Sequence, residues 1–146
     1  MSRSSSSPRR PDRPWANQAV TTSQDLREVR VLYVEDDEET WRLMERLLRR
    51  HFGQVLYARN GREALEVLKT AAPGVIITDI QMPVMDGLAM IREVRATRGP
   101  DLPIVVVSAY TDDEHRSALA DAHIPKPIDI RVLSETVARL VGTRHD

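Results

Sequence analysis

Glu35, Asp36 and Asp37 follow the apolar run from Val31 to Val34, and Asp79 follows the run from Val75 to Thr78. Ser108 follows Ile104 to Val107, and Lys126 with Pro127 comes just after His123 and Ile124. Singly, each has a plain explanation: acids at a helix start favour the macrodipole, a serine after a strand forms turns, and a lysine is solvated. Together they suit phosphoryl transfer. Carboxylates converging from separate strands repel one another, and a hard divalent cation, Mg2+ or Mn2+, relieves that repulsion while keeping waters and phosphate oxygens as further ligands. One carboxylate then attacks phosphorus to make an acyl phosphate, while the cation and a fixed ammonium absorb charge on the transferred oxygens. Lys126 is the available ammonium. The Ser108 hydroxyl can donate to a phosphoryl oxygen, a contact that exists only after transfer and so reports it.

To converge, these residues need elements that end at a common edge. Short β-branched or aromatic runs at Arg30 to Val34, Gln54 to Ala58, Val75 to Thr78 and Ile104 to Val107, with a brief fifth around His123 and Ile124, read as strands. Between them Leu43, Met44, Leu47, Leu48 and Phe52 repeat at helical spacing, as do Ala64, Leu65, Leu68 and Ala72, then Leu88, Ile91 and Val94. Leu133, Val137, Leu140 and Val141 form the stripe of a last helix, and Asn60 and Asp129 stand at N-cap positions. Strands alternating with helices predict a parallel sheet covered on both faces, in which functional groups gather at the carboxyl ends of the strands.

The 146 residues bound this to one compact domain, and 41% hydrophobic content, concentrated between Val31 and Val141, is enough for a core without staples. Cysteine is absent, which excludes a thiol nucleophile, a disulfide framework and a cysteine-based zinc site. No run of 18 apolar residues occurs and no signal-like stretch opens the chain, so no membrane span is expected and the expected location is the cytoplasm. The net charge of −1 conceals a basic leader: residues 1–24 hold four Arg against one Asp among Ser and Pro, a composition that predicts a disordered, solvated arm. The expected organisation is an arm over residues 1–28, one domain over 29–142 and a tail over 143–146, with no DNA-binding domain following and any output made by the domain itself.

Across residues 29–141 the chain resembles the receiver domain of two-component response regulators. The resemblance rests on Val-Leu-Tyr-Val-Glu-Asp-Asp (31–37), Thr-Asp-Ile-Gln-Met-Pro-Val-Met-Asp-Gly (78–87), Val-Ser-Ala (107–109) and Lys-Pro (126–127), the second being the most specific. It implies a flavodoxin-like doubly wound α/β fold with five parallel strands in the order 2-1-3-4-5. It also implies that Asp79 is the phosphoacceptor, that Asp36 binds Mg2+ directly with Glu35 acting mainly through water, and that the backbone carbonyl of Gln81 joins the metal. Ser108 fills the hydroxyl switch position, and Lys126 is the ammonium, commonly followed by a cis bond to proline. The implied activity is signalling rather than catalysis: phosphorylation by a histidine kinase or histidine phosphotransfer protein alters binding to a downstream target protein. Relay shuttle and signalling output both stay open, as does a homodimer. A degenerate receiver acting as a phosphorylation-independent docking module is the alternative.

His123 stands where the family's second switch residue is usually Tyr or Phe, and its imidazole is smaller and more polar. Tyr110 and Gln81 occupy positions that tend to govern access of hydrolytic water. Asp37 has no role by resemblance, so helix capping is its reading. A phosphatase of the haloacid-dehalogenase type would want a second Asp at position 81, where Gln stands, and a nucleotide-binding module would want a glycine-rich loop that is absent. Only 17 residues separate Ser108 from Lys126. That tight connection predicts a shortened or irregular fourth helix, a weak fifth strand at the sheet edge, where Pro125 and Pro127 curtail pairing, and a remodelled face around them.

Overall fold

The computed structural model describes residues 26–109 and 117–144. Five strands form one parallel sheet: β1 (Arg30–Val34), β2 (Gln54–Ala58), β3 (Val75–Thr78), β4 (Ile104–Ser108) and β5 (Ala122–Pro125). Their order across the sheet is β2-β1-β3-β4-β5, the expected flavodoxin-like 2-1-3-4-5 arrangement. Among the described residues four helices follow the strands, α1 (Glu38–His51), α2 (Gly61–Thr70), α3 (Gly87–Arg98) and α4 (Ile130–Arg144), and residues 26–28 ahead of β1 are also helical.

Alternation along the strands divides the core into two layers. Val31, Tyr33, Val75, Ile77, Val105 and Val107 face Met44 and Leu48 of α1 and Leu133 and Val137 of α4. Leu32, Val34, Ile76, Ile104 and Val106 face Ala64 and Leu68 of α2 and Met90, Ile91 and Val94 of α3. Every residue of β3 and β4 is buried, as a central parallel strand covered on both faces requires.

The helix starts are built from short polar side chains. Asp37 caps α1 by accepting from the Thr40 amide, Asn60 caps α2 through the Glu63 amide, and Asp86 caps α3 through the Ala89 amide. Asp129 accepts from the Arg131 amide at the start of α4.

Three details depart from the sequence expectations, while the described part of the fourth connection and the weak edge strand accord with them. Leu43, placed on the apolar stripe of α1, is 61% exposed, because the packed face runs through Met44 and Leu48 with Trp41 and Leu47 half-buried beside them, and position 43 turns to solvent. Packing starts ahead of residue 29: Leu26 is buried in the α1/α4 layer, and the Val29 amide bonds its carbonyl. At the other end α4 runs on to Arg144 rather than stopping at 142. In the fourth connection residues 117–121 form a turn and bends rather than helix, whereas the remainder of the expected fourth helix, residues 110–116, and Tyr110 with it, lies outside the described residues. The strand that follows is short and at the edge, pairing with β4 alone.

Candidate phosphoacceptor and cation site

Register carries the polar residues to one edge. Val34 of β1 lies opposite Thr78 of β3, so the next residues, Glu35 and Asp79, emerge side by side, tied by the Asp79 amide to the Val34 carbonyl at 3.1 Å. Thr78 pairs with Val106 of β4, and Ser108 at the end of β4 pairs with Pro125 of β5. The Lys126 amide then bonds the Ser108 carbonyl at 2.9 Å, and the Lys126–Pro127 peptide is cis. All four strand ends singled out in the sequence therefore meet.

Glu35, Asp36 and Asp79 each offer a carboxylate oxygen, and the three oxygens lie within 4.8 Å of one another. Glu35 is buried, Asp79 half-buried and Asp36 exposed, so the cluster opens to water on the Asp36 side. Lys126 Nζ donates to Asp79 Oδ2 at 2.9 Å and to Glu35 Oε1 at 3.1 Å. The other Asp79 oxygen accepts from the Ile80 amide at 2.6 Å. Thr78, fully buried, donates its hydroxyl to the Asp79 carbonyl at 2.8 Å and so holds the backbone at Asp79.

Burial raises the Glu35 pKa above the ordinary glutamate range, and the Asp37 amide and the Lys126 ammonium reverse this only in part. Burial alone would lower the Lys126 pKa, yet hydrogen bonding and charge from Asp79, with Glu35 adding to them, outweigh it and raise the pKa. The ammonium therefore stays charged while sheltered. Asp37 is held below the usual aspartate range by the Thr40 hydroxyl and amide, its two capping donors. Its place is the helix start, as expected.

The loop after Asp79 is shaped by glycine and by strain. Gly87 donates its amide to the Ile80 carbonyl at 2.7 Å, and a Cβ at that position would lie 2.1 Å from the Asp79 carbonyl oxygen. Only glycine allows α3 to start that close to Asp79. Between them Val84 takes φ 71° in a three-residue turn closed by the Met85 amide on the Pro83 carbonyl. Gln81 is exposed in the same loop.

Ser108 is 3% exposed at the end of β4. His123 lies in β5 opposite Val106, and its Nε2 accepts the Ser117 amide at 3.0 Å, so a neutral ring carries its proton on Nδ1. Two contributors were not singled out in the sequence. Tyr33 donates its hydroxyl to Glu35 Oε1 at 3.3 Å, and Tyr57 donates to the Glu35 carbonyl at 2.8 Å while its ring packs on Trp41 with centroids 4.2 Å apart. The signal for Tyr33 was present: it stands two residues before Glu35, hence on the same side of an extended strand.

Known proteins resemble this chain in sequence and in fold. Residues 31–138 match the family model described as the response regulator receiver domain. Response regulator MprA of Mycolicibacterium vanbaalenii is 37% identical over 116 residues, which are 77% of this chain and 48% of that protein. Its counterpart in Mycobacterium tuberculosis is 36% identical over the same length, with 77% and 49% covered. The chain thus spans about half the length of the curated relatives it matches. Among solved structures, the signal receiver domain of a signal transduction histidine kinase from Syntrophus aciditrophicus superposes with a TM-score of 0.72 at 30% identity, covering 79% of this chain and 91% of that one. Chemotaxis response regulator CheY4 of Vibrio cholerae gives 0.69 at 29% identity, with 77% and 98% covered.

Proposed function

The chain belongs to the response regulator receiver domain family, and from that premise we propose that it is phosphorylated on Asp79 in a Mg2+-dependent reaction that alters its binding to other proteins. The observation that carries this reading is the junction at one sheet edge of three carboxylate oxygens within 4.8 Å and an ammonium 2.9 Å from one of them.

The donor set fits a hard cation: Glu35, Asp36 and Asp79 offer carboxylate oxygens that would hold it, the family resemblance adds the Gln81 carbonyl, and the exposed side at Asp36 leaves room for waters. When bound, the cation neutralises the carboxylates and draws charge from the phosphoryl oxygens. The chain's own groups do the rest. An Asp79 carboxylate oxygen attacks phosphorus, the bond from phosphorus to the donor nitrogen or oxygen breaks, its electron pair leaves with the donor, and an acyl phosphate forms. The Ile80 amide holds the other carboxylate oxygen and so orients the nucleophile. Lys126, already charged, moves onto the transferred group, and Ser108 donates its hydroxyl to it. His123, tied to the start of the 117–121 turn, takes the second switch position.

The partners in this reading are a histidine kinase or histidine phosphotransfer protein upstream and a target protein downstream. The test is phosphorylation by a small-molecule phosphodonor and by candidate kinases, with and without Mg2+. The wild type should acquire an acid-labile label only with the cation, and Asp79→Asn should acquire none. A label that persists on Asp79→Asn would place the acceptor elsewhere.

A further inference from the structure

Glu35 presents a problem that phosphorylation makes worse. Its side chain is 1% exposed, and a buried carboxylate needs donors. Its Oε2 takes the Asp37 amide at 3.1 Å. Its Oε1 takes Lys126 Nζ at 3.1 Å and the Tyr33 hydroxyl at 3.3 Å. Lys126 is shared, because the same nitrogen also serves Asp79. Once Asp79 carries a phosphoryl group, the most anionic oxygens nearby lie on that group, and the ammonium turns to them. Glu35 Oε1 then loses Lys126, and its position toward the cation depends on the donors that remain.

Tyr33 is built to meet that loss. It is fully buried in β1 among Val31, Leu32 and Val34, all aliphatic, so its phenol is the polar handle of that strand. The ring fills the α1/α4 layer and the hydroxyl reaches up the same side of the strand to Glu35. Burial, reinforced by the charge of Glu35, raises the phenol pKa and keeps it a neutral donor.

We propose that Tyr33 is a positioning residue for the phosphorylated state: its hydroxyl holds the Glu35 carboxylate while Lys126 turns to the phosphoryl group. The inference rests on Asp79 being the acceptor. It predicts that Tyr33 matters more when Lys126 is engaged elsewhere or absent, which a residue that merely fills space does not do.

Tyr33→Phe keeps the ring and removes the donor. In metal-free protein, the drop in melting temperature caused by Tyr33→Phe should be larger in a Lys126→Met background than in the wild type, because Tyr33 is then the remaining side-chain donor to Glu35. In the presence of Mg2+, beryllofluoride, a phosphoryl mimic, should bind Tyr33→Phe about three- to tenfold more weakly than wild type, the net scale of one ordinary hydrogen bond. Affinity for Mg2+ alone should fall by less than affinity for beryllofluoride, since Lys126 still serves the same Glu35 oxygen in the resting site. Equal beryllofluoride affinity in wild type and Tyr33→Phe, or additive melting shifts in the double variant, overturns the inference. Failure of the wild type itself to bind beryllofluoride strikes instead at the assignment of Asp79.

Discussion

Lys126 Nζ lies 2.9 Å from Asp79 Oδ2, an ion pair that joins residues 47 positions apart and binds the end of β3 to the loop after β5. A half-buried ammonium between two carboxylates offsets their repulsion, and under the proposed phosphorylation of Asp79 it would also be the side-chain cation nearest the new charge. Lys126→Met should therefore slow phosphorylation by a small-molecule donor on the order of a hundredfold, the usual cost of removing one donor to developing charge. It should also lower the melting temperature in the absence of metal. Stopped-flow or label-incorporation rates check the first, and a wild-type rate would remove Lys126 from the site.

Val84 gives a prediction of the opposite sign. A β-branched residue at φ 71° is strained, and at 73% exposure its side chain recovers little by packing. Val84→Asn relieves the strain, because asparagine tolerates the left-handed region, and it should stabilise the fold by about 1 kcal/mol. Val84→Gly should stabilise by less, since glycine loses more chain entropy on folding. Urea unfolding of the three proteins would show it, and a loss of stability in Val84→Asn would mean that the valine makes contacts that outweigh its backbone.

The parts of this molecule that were legible in the sequence are those that depend on local pattern. The strands are runs of Val, Ile and Leu, which a parallel sheet buried on both faces selects, and the caps at Asp37 and Asn60 follow from side chains that can bond a helix amide. The site was legible because its residues each follow a strand, so topology alone brings them together. What was not legible depends on contacts between distant segments. Leu26 precedes any periodic stretch and is buried through its meeting with the α1/α4 layer. Tyr33 stood only as one residue of the first strand, because Glu35 was weighed as a ligand and not as a group needing a donor. Arg95 was not singled out, although its side chain is only 10% exposed.

The raised pKa of Glu35 sets a pH dependence in metal-free protein. A group that binds its proton more tightly when folded adds stability below its unfolded pKa and gives it up as pH rises through the folded value. Glu35→Gln lacks that titration. The difference in melting temperature, wild type minus Glu35→Gln, should therefore increase as pH falls from about 8 to about 5 in the presence of chelator. Lys126 and Tyr33 are shifted upward as well, but their windows are alkaline and leave this range untouched. A difference that is flat or shrinks on acidification would show that Lys126 offsets the burial of Glu35 completely.

Arg95 is the fastening of the fourth connection. Its guanidinium donates to the carbonyls of Gly99 at 3.1 Å, Leu102 at 2.7 Å and Leu119 at 2.9 Å, and to Asp121 Oδ2 at 3.0 Å. The same Asp121 oxygen accepts the Ile104 amide at 2.8 Å, so one side chain pins the end of α3, the entry to β4 and the 117–121 turn to each other. This geometry needs a planar fork, which an ammonium does not have. Arg95→Met leaves three carbonyls without this donor and removes the ion pair to a mostly buried carboxylate, and should cost about 3 kcal/mol. Arg95→Lys should recover less than half of that. Asp121→Asn should be milder than Arg95→Met, because an amide oxygen still accepts from Ile104. Denaturant unfolding orders the three variants, and hydrogen exchange at the Ile104 and Asp121 amides reads the local effect. An Arg95→Lys protein as stable as wild type would mean that charge alone holds the turn, and unchanged exchange at Ile104 and Asp121 in Arg95→Met would mean that the turn does not depend on the clasp.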